Sequence, residues 1–394
     1  MKLLAYRITG LNLYENHEAT FNMYTTEAVR NPGFVHALDG AARNISISTV
    51  IGIAGINASG KTTLLRLIEL ALGVAGGLSL GTMTTDLNPL LGMIDTHIQV
   101  TAAFEENGRF HLIDSQIEKV RDARTPLRFV RETLWLNHGK MSRSRLAVAV
   151  AGHPDDRWSI ESTRNIGKPG KGVELSADAK RYLASDRSIT SAVTDGAYVD
   201  ADLLPAAPIL SANAVEPVVR LFDDSIERLA SDEDGIHLRF RGDASDRDLS
   251  PAALVSLVSA GTLRGGALVN RALEALKTGG YLLVDELENS INKQIVFAIM
   301  DLFASPVTNP NGATLIFTTH YPELLDHLTR GDGIWFTVRN PQGFHVEGLN
   351  ERFGDNRIKH SVSFQANRLK GTAPSHDAMC AVREYAKEYV RAEK

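Results

Sequence analysis

Cysteine is almost missing from this chain. The one thiol among 394 residues, Cys380, excludes an internal disulfide and any cysteine-built zinc site, and it fits a reducing, cytoplasmic setting. Long apolar runs are missing too: eighteen uncharged apolar residues never follow one another, so no membrane span is expected. Met1 to Tyr6 have no long apolar core and are followed by Arg7, which predicts a strand rather than a signal peptide. There is no excess of basic residues. With a formal net charge of -5, nucleic acid could be held only by a local patch, not by a global field. No heptad pattern is sustained, which excludes a long coiled-coil arm. At 43% hydrophobic and 23% charged residues, the chain can build a large core and an accessory lobe.

What is present centres on Gly55-Ile56-Asn57-Ala58-Ser59-Gly60-Lys61-Thr62, a G-x-x-x-x-G-K-[ST] pattern. It follows the apolar run Ile47 to Ala54 and opens a helical pattern from Thr63 to Leu72. Strand, tight turn and helix are the setting in which such a loop cradles phosphates. Gly55 and Gly60 let successive N–H groups approach phosphate oxygens, which the positive end of the helix also attracts. Lys61 would reach the β- and γ-phosphates and the Thr62 hydroxyl would hold Mg²⁺.

Before the loop, Leu3 to Ile8 and Ala19 to Met23 read as strands, and Tyr14 between them suits either base stacking or packing. After it, Gly73 to Leu91 reads as loop or weak helix. His97 to Phe104 and Arg109 to Ile113 flank Asn107-Gly108, a hairpin signal. Regularity fades from Glu118 to Asp234. That segment is locally basic through Lys119, Arg121, Arg124, Arg128, Arg131, Lys140, Arg143 and Arg145, with Phe129 and Trp135, but Glu118, Asp122 and Glu132 are interleaved. Arg164 to Gly172 is a second basic stretch. Both suit either a phosphate backbone or a solvated face. Helical spacing at Ala177 to Ala184, and at Val218, Phe222, Ile226 and Leu229, predicts a compact, mainly helical insertion.

Regular structure resumes with the alternating Ile236 to Phe240, a helix entry at Ser250-Pro251 and a helix from Ala267 to Leu276. Tyr281-Leu282-Leu283-Val284 ends in Asp285-Glu286, and Ala313 to Thr319 ends in His320. Apolar strands with polar tips are what buried parallel strands look like at a ligand site, and the alternation of helix and strand makes the class α/β. Asp285 is placed to hold Mg²⁺ through water or through Thr62, Glu286 to polarise an attacking water, and His320 to sense or stabilise the γ-phosphate. The tail carries Arg352, Arg357, Lys359, Arg368 and Lys370 beside Phe353 and Phe364. That mix suits an acidic partner surface or a nucleic-acid backbone, and equally a C-terminal helix, Asp377 to Arg391, docked on the core.

Together, G-I-N-A-S-G-K-T, S-A-G-T, Y-L-L-V-D-E-L-E-N-S and I-F-T-T-H-Y-P-E-L-L-D resemble the ATP-binding-cassette ATPases of chromosome maintenance and double-strand-break repair. Within them the chain resembles the prokaryotic AAA-type ATP-binding proteins of phage defence and abortive infection, relatives of the overcoming-lysogenisation-defect nucleases. The likeness covers roughly residues 1 to 115 and 235 to 345. It implies a P-loop NTPase head of ABC type with an antiparallel β lobe, split as 1–117 and 235–345 around the insertion 118–234 and followed by the tail 346–394. It places the Walker A loop on Gly55, Asn57, Gly60, Lys61 and Thr62, with Ala58, Ser59 and Thr63 completing the nucleotide-binding stretch. The Walker B carboxylates fall on Asp285 and Glu286, and the switch histidine on His320. The signature falls on Ser259, Gly261 and Thr262, the D-loop on Glu288, Asn289 and Ser290, and the Q-loop metal ligand on Gln116. Val258 stands where the family has leucine, and Ile291-Asn292-Lys293 where many relatives have Leu-His-Pro. No fused toprim nuclease is expected.

The expectation is an ATP- and Mg²⁺-dependent ATPase that dimerises, or assembles further, around nucleotide. It would control a separate effector, a nuclease or toxin, in anti-phage defence. The alternative is a DNA-repair clamp whose own surface binds nucleic acid.

Overall fold

The computed structural model describes residues 1–30, 32–38, 45–81, 89–120, 126–165, 186–203, 216–232, 235–353, 359–365 and 376–392. In chain order the N-terminal part forms β1 (Lys2–Leu11), β2 (Glu18–Asn22), β3 (Val35–Ala37), β4 (Ser46–Ser48), β5 (Val50–Ala54) and α1 (Lys61–Ala75). There follow β6 (Ile94–Glu106), β7 (Arg109–Lys119), β8 (Leu127–Asn137), α2 (Arg143–Val150), β9 (Trp158–Asn165), β10 (Val199–Asp202) and α3 (Glu216–Phe222). Next come β11 (Ile226–Asp232), β12 (Gly235–Phe240), β13 (Arg247–Leu249), α4 (Pro251–Leu257), α5 (Ala260–Thr278), β14 (Tyr281–Val284) and α6 (Lys293–Ala304). The chain closes with β15 (Thr314–Thr319), β16 (Ile334–Asn340), β17 (Gly343–Gly348), α7 (Leu349–Phe353), α8 (His360–Gln365) and α9 (His376–Ala392).

Two six-stranded sheets organise the molecule. One is antiparallel, in the order β2-β1-β6-β7-β8-β9; the other runs β10-β14-β15-β5-β16-β17 and is parallel except for the edge strand β17. Between them lies α1, apolar around nearly its whole circumference and buried from Leu64 to Ala75, as a helix packed on both sides must be. The outer face of the parallel sheet is covered by α5 and α6 through Leu268, Ala272, Val296, Ile299 and Phe303. The fold is that of an α/β P-loop NTPase with an antiparallel β lobe, and the tips of β5, β14 and β15 meet at one end.

The hairpin expected at Asn107-Gly108 forms: Glu106 pairs with Arg109, and the two turn residues have φ of 51° and 77°. The insertion differs from expectation. Its described part is mostly strand, because β8 and β9 extend the antiparallel sheet and β10 pairs with β14 in the parallel one. Among its described residues only α2, α3 and a 3-10 turn at Ile189–Ala192 are helical. The Val218-to-Leu229 periodicity breaks after Phe222, where the Asp223 carboxylate accepts from the Ser225 N–H and turns the chain into β11. The helix expected at Ala177 to Ala184, most of Arg164 to Gly172, and Arg121, Arg124, Arg357, Arg368 and Lys370 lie outside the described residues.

The C-terminal helix forms as α9, but Val382, Tyr385 and Tyr389 are exposed rather than docked on the core. No single described helix is long and apolar enough to cross a membrane.

Candidate nucleotide site

The P-loop links β5 to α1. Ala58 and Gly60 both have positive φ, 60° and 99°, the second a conformation that glycine adopts without strain. The loop floors a cleft of about 490 Å³ lined by Asn57 to Thr63, Glu286, His320, Arg339 and Phe344. Ser59 contributes no side chain: its hydroxyl is buried and bonded to that of Thr337 at 2.7 Å, so only its backbone faces the loop.

Four hydroxyl and carboxylate groups interlock at the strand tips. Thr62 at the start of α1 donates to Asp285 Oδ2 at 2.6 Å, and Thr318 on β15 donates to Asp285 Oδ1 at 2.5 Å. The Thr318 hydroxyl also accepts from the Glu286 N–H at 2.8 Å, so one side chain aligns both acids. Glu286 has φ 52°, left-handed for a non-glycine residue. Such a backbone is held only where its surroundings fix it. Its carboxylate meets His320 Nε2 at 3.0 Å.

His320 joins the two halves of the site. Its Nδ1 lies 3.3 Å from Lys61 Nζ, which also donates to the carbonyls of Gly55 at 2.9 Å and Ile56 at 3.1 Å. An ammonium only donates, so Nδ1 accepts and Nε2 carries the proton directed at Glu286. The His320 N–H is itself bonded to Glu288. His320 therefore acts through its ring between Lys61 and Glu286, not as a helix cap; the cap position of the following short helix is Tyr321. Burial pushes the Lys61 ammonium below its usual pKa, and Asp285, Glu286 and Glu288 oppose that shift.

The Thr62 hydroxyl and Asp285 carboxylate are hard oxygen donors side by side at a phosphate loop, a set that fits Mg²⁺. Gln116 does not join them. It sits within β7 opposite Gln99 and Arg131, because the strand runs on to Lys119 and leaves no loop at that point.

Ser259, Gly261 and Thr262 do not line this cleft. Ser259 caps α5 by accepting from the Thr262 N–H at 3.0 Å. Gly261 packs on the neighbouring loop so closely that a Cβ there would stand 2.3 Å from the Ser290 carbonyl oxygen. Asn292 caps α6 through the Gln294 N–H. Tyr14 is buried edge-on against Phe344 and offers no face to a base.

Three site residues escaped the sequence reading: Thr318, Arg339 and Phe344. Thr318 stood beside the recognised His320 in a strand end. For the other two, Asn340-Pro341-Gln342-Gly343 announces a turn but not that its hairpin reaches Gly60.

A family described as "AAA domain, putative AbiEii toxin, Type IV TA system" matches residues 156–326. That span holds Asp285, Glu286 and His320 and begins after the P-loop. A comparison with curated proteins finds no match. Among solved structures, the chain is similar to the SMC head domain from Thermotoga maritima at 13% identity and a TM-score of 0.42, over 89% of this chain and 99% of that one. The topology, the P-loop and the matched family support a P-loop ATPase of the AAA/ABC type.

Proposed function

We propose that this chain is an ATP-hydrolysing switch. The observation that carries the proposal is the meeting of Lys61, Thr62, Glu286 and His320 in one cleft, with Asp285 bonded to Thr62, drawn from a loop and two strand tips far apart in sequence. Lys61 would exchange its bonds to loop carbonyls for phosphate oxygens, and Thr62 with Asp285 would hold the metal. Mg²⁺ neutralises charge on the β- and γ-phosphates when bound. Glu286 accepts a proton from the attacking water, with His320 holding its carboxylate in place.

Assembly is part of the proposal. The capped end of α5 bears the signature yet does not reach its own cleft, so it would complete a site on a second copy, head to tail. The matched family's description names a toxin and a toxin–antitoxin system, which supports a defence role exercised through a separate effector.

Lys61→Ala should weaken ATP binding, measured by calorimetry. Glu286→Gln should bind ATP but turn it over at least ~100-fold more slowly, the usual scale of a general base. Glu286→Gln loaded with ATP should sediment as a dimer or larger, and Ser259→Arg should stop turnover while sparing nucleotide binding. Normal turnover by a monomeric Ser259→Arg variant would remove the shared site.

A further inference from the structure

Besides the P-loop, Glu286 and His320, the cleft has a lining to which no role has been given above. It comes from the β16–β17 hairpin, where Arg339 and Phe344 are cross-strand partners. The Arg339 guanidinium lies over the Phe344 ring at 5.7 Å. Phe344 in turn covers Gly60, whose added Cβ would stand 3.1 Å from the ring. The ring is fixed from behind: Tyr14 meets it edge-on at 5.6 Å, and the Phe344 N–H donates to the Leu13 carbonyl at 2.7 Å. Arg339 is exposed and has no carboxylate partner among the described residues.

A planar cation layered on a held aromatic ring, beside a phosphate loop, presents a flat face to whatever is attached to the phosphates. Guanidinium planes and aromatic rings both stack with nucleobases. We infer that Arg339, backed by Phe344, is the seat of the nucleoside: the base stacks on the guanidinium while the P-loop holds the phosphates. Arg339 is thus a binding residue that distinguishes a nucleotide from a bare polyphosphate. This rests on the nucleotide-binding reading above and extends it to the part of the ligand that carries no phosphate.

The test compares ATP with inorganic tripolyphosphate on the full chain by calorimetry, each with Mg²⁺. Arg339→Ala should weaken ATP about tenfold and leave tripolyphosphate within twofold of wild type. Lys61→Ala should weaken both. Arg339→Lys, which keeps the charge and loses the plane, should behave like Arg339→Ala. Because Arg339 is exposed, these variants do not depend on the tolerance of the core; Phe344→Leu, with Tyr14 packing monitored by melting temperature, serves as a second probe and should show the same selective loss. Unchanged ATP affinity in Arg339→Ala, an equal loss for tripolyphosphate, or rescue by lysine would each overturn the stacking seat while leaving ATP binding intact. A wild-type chain that binds neither ligand would instead overturn the nucleotide reading, and this inference with it.

Discussion

A single hydroxyl, that of Thr318, sets the relation between Asp285 and Glu286, the acids proposed to hold the metal and orient the water. It donates to Asp285 and accepts from the Glu286 backbone, and it is fully buried. Thr318→Val keeps the shape and removes both bonds. Leaving a buried polar group unsatisfied costs about 1–3 kcal/mol, so a drop in melting temperature is expected. Turnover should fall about tenfold or more as Asp285 and Glu286 lose their alignment, equivalent to ~1.4 kcal/mol or more of barrier. ATP binding measured without Mg²⁺ should hold. Unchanged turnover would reduce Thr318 to a packing residue. Lys61, Asp285, Glu286 and His320 were legible because each ends a recognisable strand or opens a helix. Thr318 was not, because its role depends on which strand lies beside β14.

At the scale of elements, the antiparallel lobe is tied together by a buried charge that also hid it from sequence reading. In β8 the alternation Leu127, Phe129, Leu134 is interrupted by Glu132, fully buried, and by irregular pairing after Leu134 and opposite Gln116 and Ile117. Alternation is the sequence signal of a strand, and a buried carboxylate erases it. The structure supplies the missing partners: Glu132 accepts from Ser115 on β7 at 3.0 Å, from Ser188 at 2.7 Å and from the Ile189 N–H at 3.2 Å, and pairs with Arg164 on β9. Thr190, just beyond, donates to the Val74 carbonyl at 2.6 Å and so fastens the network to the P-loop helix. Burial raises the Glu132 carboxyl, with Arg164 and the hydroxyls opposing that rise. Arg164→Met removes the strongest opposition and leaves the acid buried beside a neutral chain. The variant should lose about 3 kcal/mol of stability at neutral pH. Its Glu132 would then titrate above its unfolded value, so the carboxyl's contribution is fully present below the unfolded pKa and lost as pH rises through the folded one. The deficit against wild type should therefore shrink on going from pH 7 toward pH 5. Denaturant melts at the two values decide it; a pH-independent deficit would mean that the loss is one of packing, not charge.

At the scale of the whole molecule, the question is what the chain does besides the proposed turnover of nucleotide. The basic stretches that suggested a nucleic-acid track are partly paired among the described residues. Arg128 pairs with Glu118, Arg145 with Asp155 and Arg164 with Glu132, while Arg143 and Lys119 donate to backbone carbonyls. A surface whose cations are already paired releases few counterions on meeting a phosphate backbone, so affinity for nucleic acid should be weak and its salt dependence shallow. The carboxylates at the strand tips are engaged with Thr62, Thr318 and His320 around the P-loop. Elsewhere among the described residues, no group of three or more His, Cys, Asp or Glu side chains gathers as a two-metal nuclease centre would require. The exposed α9 stripe of Val382, Tyr385 and Tyr389 is apolar surface that nucleotide chemistry does not use. If ATP shifts the population toward a closed dimer, a partner that binds open and closed forms differently will respond to it. The purified chain with ATP and either Mg²⁺ or Mn²⁺ should therefore hydrolyse ATP while leaving plasmid DNA, linear DNA and transfer RNA intact. It should also show no retention of duplex DNA at physiological salt. Tight DNA binding that falls steeply with salt would favour a repair-type clamp over the effector switch. Cleavage that persists in Glu286→Gln would place a nuclease centre in this chain itself.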